Sequence, residues 1–420
     1  MDRGSGHSLK GSPVAAGERV AVMDVLRGVA LFGVFLVNFI AFAGAHLMAT
    51  EQQLLSLPSA PFDLALFDVL EWLFVDKANT LFAFLFGLGF YLQMQRLEAR
   101  GADFARLYRR RLWVLLFIGL LHLVFIWTWD ILHLYAIAGF MLLAMRRLGN
   151  RALLVSGLLL TALGRTVQKV FAEFSDANSW TGVADTYADA AVLTRQALSQ
   201  QGDYLAVLNN FTTWMVVDYL ASGLLIGWLL YALGRFLIGA WVGRHEWIAR
   251  AGDFLPGWRR VLRWTLLPGF ALEGFASLLS QSPLLPDFEH RDFVAGVVHL
   301  VAVPVLATGY LSAVVVGFEG GRFRRVLAPF AWLGRMALTN YLTQSLVIGF
   351  ALFGVGPGLA LAGKLGTSAV LGIVGLSFAA QMAYSRWWLQ RFTYGPAEWL
   401  WRALTYGKMP RMRLGTDLLI

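Results

Sequence analysis

The chain of 420 residues is 58% hydrophobic and only 15% charged. A soluble domain carries about 25% charged residues, so an ordinary soluble fold is excluded. The chain contains no cysteine, which excludes disulfide frameworks, thiolate catalysis and cysteine-ligated metals. The formal net charge of +9 fits the basic cytoplasmic loops of a membrane protein better than it fits nucleic-acid binding.

Apolar blocks of roughly 18 to 25 residues recur along the chain, and this is the length that an α-helix needs to cross a hydrocarbon core of about 30 Å. They predict an all-α fold, a polytopic transmembrane helical bundle of about ten spans. The first span follows the polar tail 1–19 and is long enough to be a retained signal anchor. The predicted spans lie near residues 21–43, 76–95, 111–129, 130–146, 151–171, 212–234, 261–281, 293–317, 327–353 and 366–385.

Most of the 35 lysine and arginine residues lie in the tails and loops on one side of this bundle. The excess of basic residues marks that side as cytoplasmic, so both termini are predicted to lie inside the cell. The opposite side holds residues 44–75, whose stretch FDLALFDVLEWLF is typical of an amphipathic surface helix, and the polar, acidic loop 172–211. With these two outer segments, the predicted transmembrane domain covers residues 20–385.

The C-terminal segment 386–420 is basic and rich in tryptophan. This composition is typical of an amphipathic element that lies along the cytoplasmic membrane surface, with its arginines toward lipid phosphates. The same segment could instead cap the entrance of a ligand site.

The first span carries polar residues, which are costly inside a membrane and therefore tend to face a partner or a cavity. Asp24 and Arg27 are three residues apart and share a helix face, and Asn38 lies further along the same side. They form either an ion pair near the headgroups with one interhelical hydrogen bond, or a site in which Arg27 binds an anionic ligand. His46, at the outer end, is either a surface histidine or a base.

Asp130 and His133 lie where the third and fourth spans meet. Their spacing places both side chains on one face if the helix begins at Trp129. A carboxylate beside an imidazole fixes its tautomer and raises its basicity, which suits a general base. The structural alternative is an acidic helix start, favourable to the helix dipole, followed by a core histidine.

The ninth predicted span is unusually polar for a membrane helix. Since each polar group needs a partner inside a bilayer, this helix is predicted to line a polar cavity or to pack against polar neighbours. Its polar residues are Arg335, Thr339, Asn340, Tyr341, Gln344 and Ser345.

Further charges fall within or beside other spans. Lys77 is predicted to extend to the headgroups, whereas Arg165, Asp218 and Glu273 are candidates for pairing with one another. Gly87 and Gly89 are predicted to allow close approach of helices.

Five stretches together carry a resemblance to a known family: MDVLRGVALFGVFLVN, LFAFLFGLGF, WDILHLYAIAGF, GRMALTNYLTQS and GPAEWLWRALTYG. From about residue 19 to 413 the chain resembles the YeiB-like bacterial inner-membrane proteins, also called domain of unknown function 418. The opening stretch is also similar to heparan-glucosaminide-type transmembrane acyltransferases. The resemblance implies a location in the bacterial inner membrane. Through the wider superfamily, it also implies acyl transfer from cytoplasmic acyl-CoA with a histidine involved.

The first hypothesis for the function is therefore a membrane-bound acyltransferase. Acyl-CoA is the co-substrate in this hypothesis, and the acceptor is a sugar or a lipid in the membrane or outside it. The phosphates of acyl-CoA bind to Arg27, Arg335 or the arginines at 109–111. His133 or His46 removes the acceptor's proton, and Asp130 orients His133. Asp24, Asn38, Thr339, Asn340, Tyr341 and Gln344 complete the candidate substrate-binding residues. No metal site is predicted.

Two alternatives remain open at the level of sequence. A transporter or exporter of a small polar molecule or lipid also places charges within its spans, although paired Gly/Pro interruptions are missing here. A non-catalytic membrane protein is the second alternative. The sequence leaves the oligomeric state open.

Overall fold

The computed structural model describes residues 20–174, 187–216, 219, 223–281 and 291–414. Within these residues the regular structure is helical. The first half contains α1 (Ala21–Ala43), α2 (Glu51–Leu55), α3 (Ala60–Phe74), α4 (Lys77–Ala99), α5 (Phe104–Phe125), α6 (Leu132–Met145) and α7 (Asn150–Phe174). The second half contains α8 (Asp189–Gln200), α9 (Tyr204–Val216), α10 (Leu224–Arg244), α11 (Leu255–Gln281), α12 (Arg291–Glu319), α13 (Arg324–Leu327), α14 (Phe330–Arg335), α15 (Ala337–Leu352), α16 (Thr367–Leu389) and α17 (Pro396–Tyr406).

The prediction of an all-α polytopic membrane protein is confirmed. In the described part of the chain, five helical stretches are long and apolar enough to cross a membrane: Ala21–Ala43, Ala60–Ala99, Leu224–Arg244, Val294–Glu319 and Thr367–Leu389. Shorter apolar helices cover Leu132–Met145, Asn150–Gly164 and Ala337–Leu352. The number of ten spans and the side of the membrane on which the termini lie stay predictions.

The loops predicted to share one side of the membrane meet in the structure. Arg244 at the end of α10 donates to the backbone carbonyls of Arg146 and Leu148, which follow α6. At the opposite end of the bundle, Arg195 on α8 donates to the carbonyls of His46 and Leu47. We call the end of the bundle with Arg146 and Arg244 the arginine end, and the end with His46 and Arg195 the outer end.

Glycines bring the backbone of α1 against α14. A Cβ atom on Gly28 would lie 2.1 Å from the carbonyl oxygen of Phe330, and one on Gly334 would lie 1.8 Å from that of Asp24. Neither position therefore tolerates a side chain without displacement of the backbone. This contact fixes the start of α1, with its charged residues, beside the end of α14.

Of the two glycines predicted for close packing on α4, Gly87 has that role: its Cβ would lie 2.0 Å from the carbonyl oxygen of Phe236 on α10. Gly89 instead faces a side chain, since the guanidinium of Arg27 lies 3.1 Å from its Cβ position.

The helix boundaries differ from the prediction at two places that matter for the site. Helix α6 begins at Leu132, not Trp129, because the Asp130 carboxylate accepts the backbone N–H of His133 and caps the helix from outside. The ninth predicted span breaks at Met336 into α14 and α15.

The prediction that Lys77 extends to the headgroups is wrong. Its side chain is 1% exposed, and its Nζ lies 2.7 Å from a carboxylate oxygen of Glu273. The other oxygen of Glu273 lies 2.9 Å from Nδ1 of His299. The buried charge of Lys77 is therefore neutralised inside the bundle, which a lone lysine in lipid requires. The side chains of Arg165 and Asp218 lie outside the described ones.

Candidate functional site

A cavity of about 290 Å³ lies at the arginine end, between α1, α4, α5, α6, α14, α15 and α17. In the described part of the chain, five arginines from five different helices line it: Arg27, Arg96, Arg111, Arg335 and Arg402. Its deep wall is formed by buried side chains from the centre of the bundle, including Leu115, Leu132, Tyr135 and Tyr341. The cavity therefore joins charged residues at the arginine end to the interior of the protein.

The electrostatics of this cavity favour an anionic ligand. Among the described residues, two carboxylates line it, those of Asp24 and Glu398. Asp24 lies 3.0 Å from the guanidinium of Arg27, as the sequence predicted, and this leaves more positive than negative charge on the walls. Clustered arginines in a site with low-dielectric walls raise the local concentration of anions.

Arg111 is the arginine with the most capacity for a ligand. Its guanidinium lies over the ring of Trp401, 3.8 Å from the centroid, and the indole N–H of Trp401 donates to the Arg111 carbonyl. Among the described residues, its guanidinium has no hydrogen-bond acceptor and no ion-pair partner. The stacked, planar group keeps five N–H donors for a phosphate or carboxylate.

Glu398 closes the cavity wall from the C-terminal helix α17. Its carboxylate accepts hydrogen bonds from the backbone N–H groups of Leu338 and Thr339, at 2.6 and 3.1 Å, and from the Thr339 hydroxyl at 2.6 Å. These N–H groups have no partner within α15 because they belong to its first turn. Burial raises the pKa of the Glu398 carboxyl, although the hydrogen bonds from Thr339 and Leu338 oppose that shift.

A cluster around Asp130 lies next to the deep wall. The Asp130 side chain is 0% exposed. One of its oxygens lies 2.9 Å from Nδ1 of His122, and the other lies 3.0 Å from Nδ1 of His133. The predicted contact between Asp130 and His133 is therefore present, and a second imidazole, that of His122, completes the cluster.

The carboxylate determines the protonation of both rings. An ionised carboxylate only accepts hydrogen bonds, so each neutral imidazole carries its proton on the Nδ1 that faces Asp130. The Nε2 atoms are then the basic nitrogens. Nε2 of His122 is buried and has no hydrogen-bond partner among the described residues. The arrangement thus holds two imidazoles in the tautomer that a general base requires.

Tyr341 connects the cavity to this cluster. The residue lines the cavity, and its hydroxyl lies 3.4 Å from the Asp130 oxygen that also contacts His122. The same hydroxyl accepts the backbone N–H of Ile131 at 3.3 Å. One side chain therefore separates a ligand in the cavity from the carboxylate that orients both imidazoles.

The remaining polar residues of α15 face other neighbours. Thr339 binds Glu398, as described above. The Asn340 amide donates to the hydroxyl of Ser385, and the Gln344 amide donates to the side chain of Gln381, both at 3.0 Å on α16. The polar stripe is therefore divided between the cavity and a polar contact of two helices.

Asn38 and His46 lie apart from the cavity wall in the described structure. Asn38 is half-buried on α1, beyond the level of the cavity lining. His46 is exposed in a turn with a φ angle of 72° at the outer end. Its backbone N–H donates to Ala49, and its carbonyl accepts from Arg195.

The contribution of His122 to the cluster was not predicted from the sequence, and neither was the place of Arg111, among residues 109–111, in the cavity wall. His122 stands eight residues before Asp130, on the far side of the turn between α5 and α6. Gly119 allows this approach, since a Cβ there would lie 2.4 Å from the His133 nitrogen and 3.0 Å from Asp130. The sequence pattern that could have indicated this cluster is Gly119 and His122, one helical turn apart, shortly before Asp130.

Sequence comparison identifies the relatives of this chain. The family model described as "Protein of unknown function (DUF418)" matches residues 242–408. The uncharacterized protein YxaH of Bacillus subtilis is 30% identical over 94% of this chain and 96% of its own length. The uncharacterized protein YeiB of Escherichia coli is 31% identical over 92% and 96%, respectively. An uncharacterized 39.9 kDa protein of Bacillus acidopullulyticus is 26% identical over 94% and 96%.

Proposed function

The chain belongs to the DUF418 family of proteins of unknown function, and we propose that it is a membrane-bound acyltransferase. It binds acyl-CoA in the cavity at the arginine end and passes the acyl group to a sugar or lipid acceptor in the membrane or beyond it. One observation carries this proposal: the wall of an arginine-lined cavity contains Tyr341, whose hydroxyl contacts the carboxylate that orients two imidazoles.

The dimensions of the cavity suit part of an acyl-CoA molecule. Sites for small molecules measure about 300–1,000 Å³, and this cavity of about 290 Å³ is at the lower end. It accommodates the thioester arm, while the nucleotide phosphates stay at the mouth. Arg111 binds a phosphate there through its unoccupied donors, because guanidinium groups bind phosphate oxygens in pairs.

The imidazoles held by Asp130 supply the base. Nε2 of His133 or His122 takes the proton from the acceptor's hydroxyl or amine, whose freed electron pair attacks the thioester carbon. The carbon–sulfur bond then breaks, and the thiolate of coenzyme A takes a proton from the imidazolium. General base catalysis of this kind contributes about 10²–10⁴-fold. His46, exposed at the outer end, is outside this assignment.

Binding of acyl-CoA is the first experimental test. Acetyl-CoA and longer acyl-CoA molecules raise the melting temperature of the detergent-purified protein if the proposal holds. Arg111→Ala weakens this binding at least about tenfold, since hydrogen bonds to charged groups contribute about 1.5–3 kcal/mol each. Arg109→Ala is the matched control, because Arg109 is exposed and lies outside the cavity wall. If no acyl-CoA changes the melting temperature of the wild-type protein, the proposal is wrong.

Transfer is the second test, measured as release of free coenzyme A with bacterial membrane lipids or sugars as acceptors. The variants His133→Asn and His122→Asn identify the base. The base is the histidine whose replacement abolishes transfer but leaves acyl-CoA binding intact. Full transfer in the double variant contradicts the proposed chemistry. Counterflow of an unchanged solute into liposomes would instead identify the protein as a transporter.

A further inference from the structure

Tyr135 is a buried residue of the cavity wall that the proposed chemistry does not yet use. Its side chain is 2% exposed and lines the deep part of the cavity. The rings of Phe82, Phe86 and Phe236 surround it, with centroids 6.1, 5.5 and 5.0 Å away. Its hydroxyl is buried and has no hydrogen-bond partner among the described residues.

A buried hydroxyl without a partner is unfavourable, and phenylalanine would fill the same aromatic space without that penalty. Two other tyrosine hydroxyls, one on a buried and one on a half-buried residue, have partners. That of Tyr341 accepts from Ile131, and that of Tyr310 donates to the carbonyl of Leu73. The hydroxyl of Tyr135 therefore remains available for a group that enters the cavity.

Building on the proposed function, we propose that the Tyr135 hydroxyl donates a hydrogen bond to the carbonyl oxygen of the bound thioester. We assign a neutral carbonyl oxygen as the acceptor at this depth, because the rings around Tyr135 are apolar whereas Arg27, Arg111 and Arg402 lie on the charged walls. The buried Arg235 also acts electrostatically on the Tyr135 hydroxyl, and an electron-rich carbonyl oxygen suits this positive potential. A thioester carbonyl is neutral, and it is the group that must lie closest to the Asp130 cluster for transfer.

The same hydrogen bond assists the reaction. When the acceptor's electron pair forms a bond to the carbonyl carbon, the π electrons of the carbonyl move onto its oxygen. The O–H of Tyr135 stabilises that negative charge, as a donor fixed in a water-poor site does for acyl transfer. The carbonyl then re-forms as the carbon–sulfur bond breaks, and the sulfur leaves with the electron pair of that bond. Tyr135 keeps its proton throughout.

The test compares acetyl-CoA with S-ethyl-CoA, a thioether of similar shape that lacks the carbonyl oxygen. Wild-type protein binds acetyl-CoA about 3- to 10-fold more tightly, which is the range for one hydrogen bond to a neutral group. In Tyr135→Phe, the affinity for S-ethyl-CoA is unchanged and that for acetyl-CoA falls to the same value. Tyr91→Phe, a tyrosine outside the cavity wall, keeps the preference of the wild-type protein.

The stability of ligand-free Tyr135→Phe provides a second readout. Its melting temperature equals or exceeds that of the wild type, because removal of the hydroxyl leaves no unpaired polar group. The inference is overturned if the acetyl-CoA preference persists in Tyr135→Phe, or if the variant loses affinity for both molecules equally. If the wild-type protein binds neither molecule, the proposed function fails and this inference fails with it. Equal affinity of the wild type for both overturns this inference alone.

Discussion

The substitution Asp130→Asn tests the cluster that carries the proposed function. Asparagine keeps one acceptor oxygen and replaces the other with an NH₂ group, which can only donate. Asp130 accepts from both imidazoles, at 2.9 and 3.0 Å, and from the backbone N–H of His133 at 2.9 Å. In the variant, the NH₂ group of asparagine therefore faces the Nδ1–H of one imidazole, so two donors meet and that hydrogen bond is lost. The remaining oxygen still accepts from the other imidazole, but it no longer carries a negative charge.

The expected loss follows from these contacts. Hydrogen bonds to a charged group contribute about 1.5–3 kcal/mol each, whereas those between neutral groups contribute about 0.5–1.5 kcal/mol. Since Asp130 is 0% exposed, water does not replace the lost bonds. We expect Asp130→Asn to lower the free energy of unfolding by about 2.5–4 kcal/mol: about 1.5–3 kcal/mol for the hydrogen bond lost at one ring and about 1 kcal/mol for the loss of charge at the other.

The assay is reversible unfolding by SDS in mixed micelles, followed by tryptophan fluorescence. Asp68→Asn is the matched control, because Asp68 is exposed and surface substitutions usually change stability by no more than about 0.5 kcal/mol. An Asp130→Asn variant that stays within about 1 kcal/mol of the wild type would refute the reasoning. The cluster would then not depend on the negative charge.

Three other predictions use the same unfolding assay. Gly119→Ala lowers the free energy of unfolding by about 1–3 kcal/mol, because its methyl group meets the backbone of α6 at Leu132 and His133. Gly375→Ala, with open space around it among the described residues, is neutral or stabilising, and equal effects of the two substitutions contradict this geometry. Lys77→Met lowers the free energy of unfolding by about 3–5 kcal/mol, because it leaves the Glu273 charge without its lysine. Adding Glu273→Gln to the same chain recovers part of that loss, and no recovery shows that the two residues are not coupled. Glu398 has a raised pKa, so the folded protein holds this proton longer than the unfolded chain as pH rises above about 4.5, and the contribution of Glu398 to stability falls across that window. The stability of Glu398→Gln therefore declines less than that of the wild type between pH 4.5 and the raised pKa, and parallel curves contradict the shift.

Much of the fold and part of the site follow from local patterns along the chain. The length of the apolar blocks predicted the helices, because crossing a bilayer requires a fixed number of residues. The three-residue spacings predicted that Asp24 contacts Arg27 and that Asp130 contacts His133, and both contacts are present. In α1 the spacing of three residues places Asp24 and Arg27 on one helix face. Asp130 instead lies before the start of α6 and reaches His133 by capping that helix.

The tertiary structure decided which face meets which neighbour. Periodicity does not identify the helix that covers a polar stripe, so the sequence treated Tyr341 and Gln344 alike, although one contacts Asp130 and the other contacts α16. Lys77 pairs with Glu273, which lies on a helix nearly two hundred residues further along the chain. Only the tertiary structure shows that the Arg111 guanidinium and the Tyr135 hydroxyl have no hydrogen-bond partner among the described residues. These pairings depend on where small residues let helix backbones approach, and that is a property of the packed bundle.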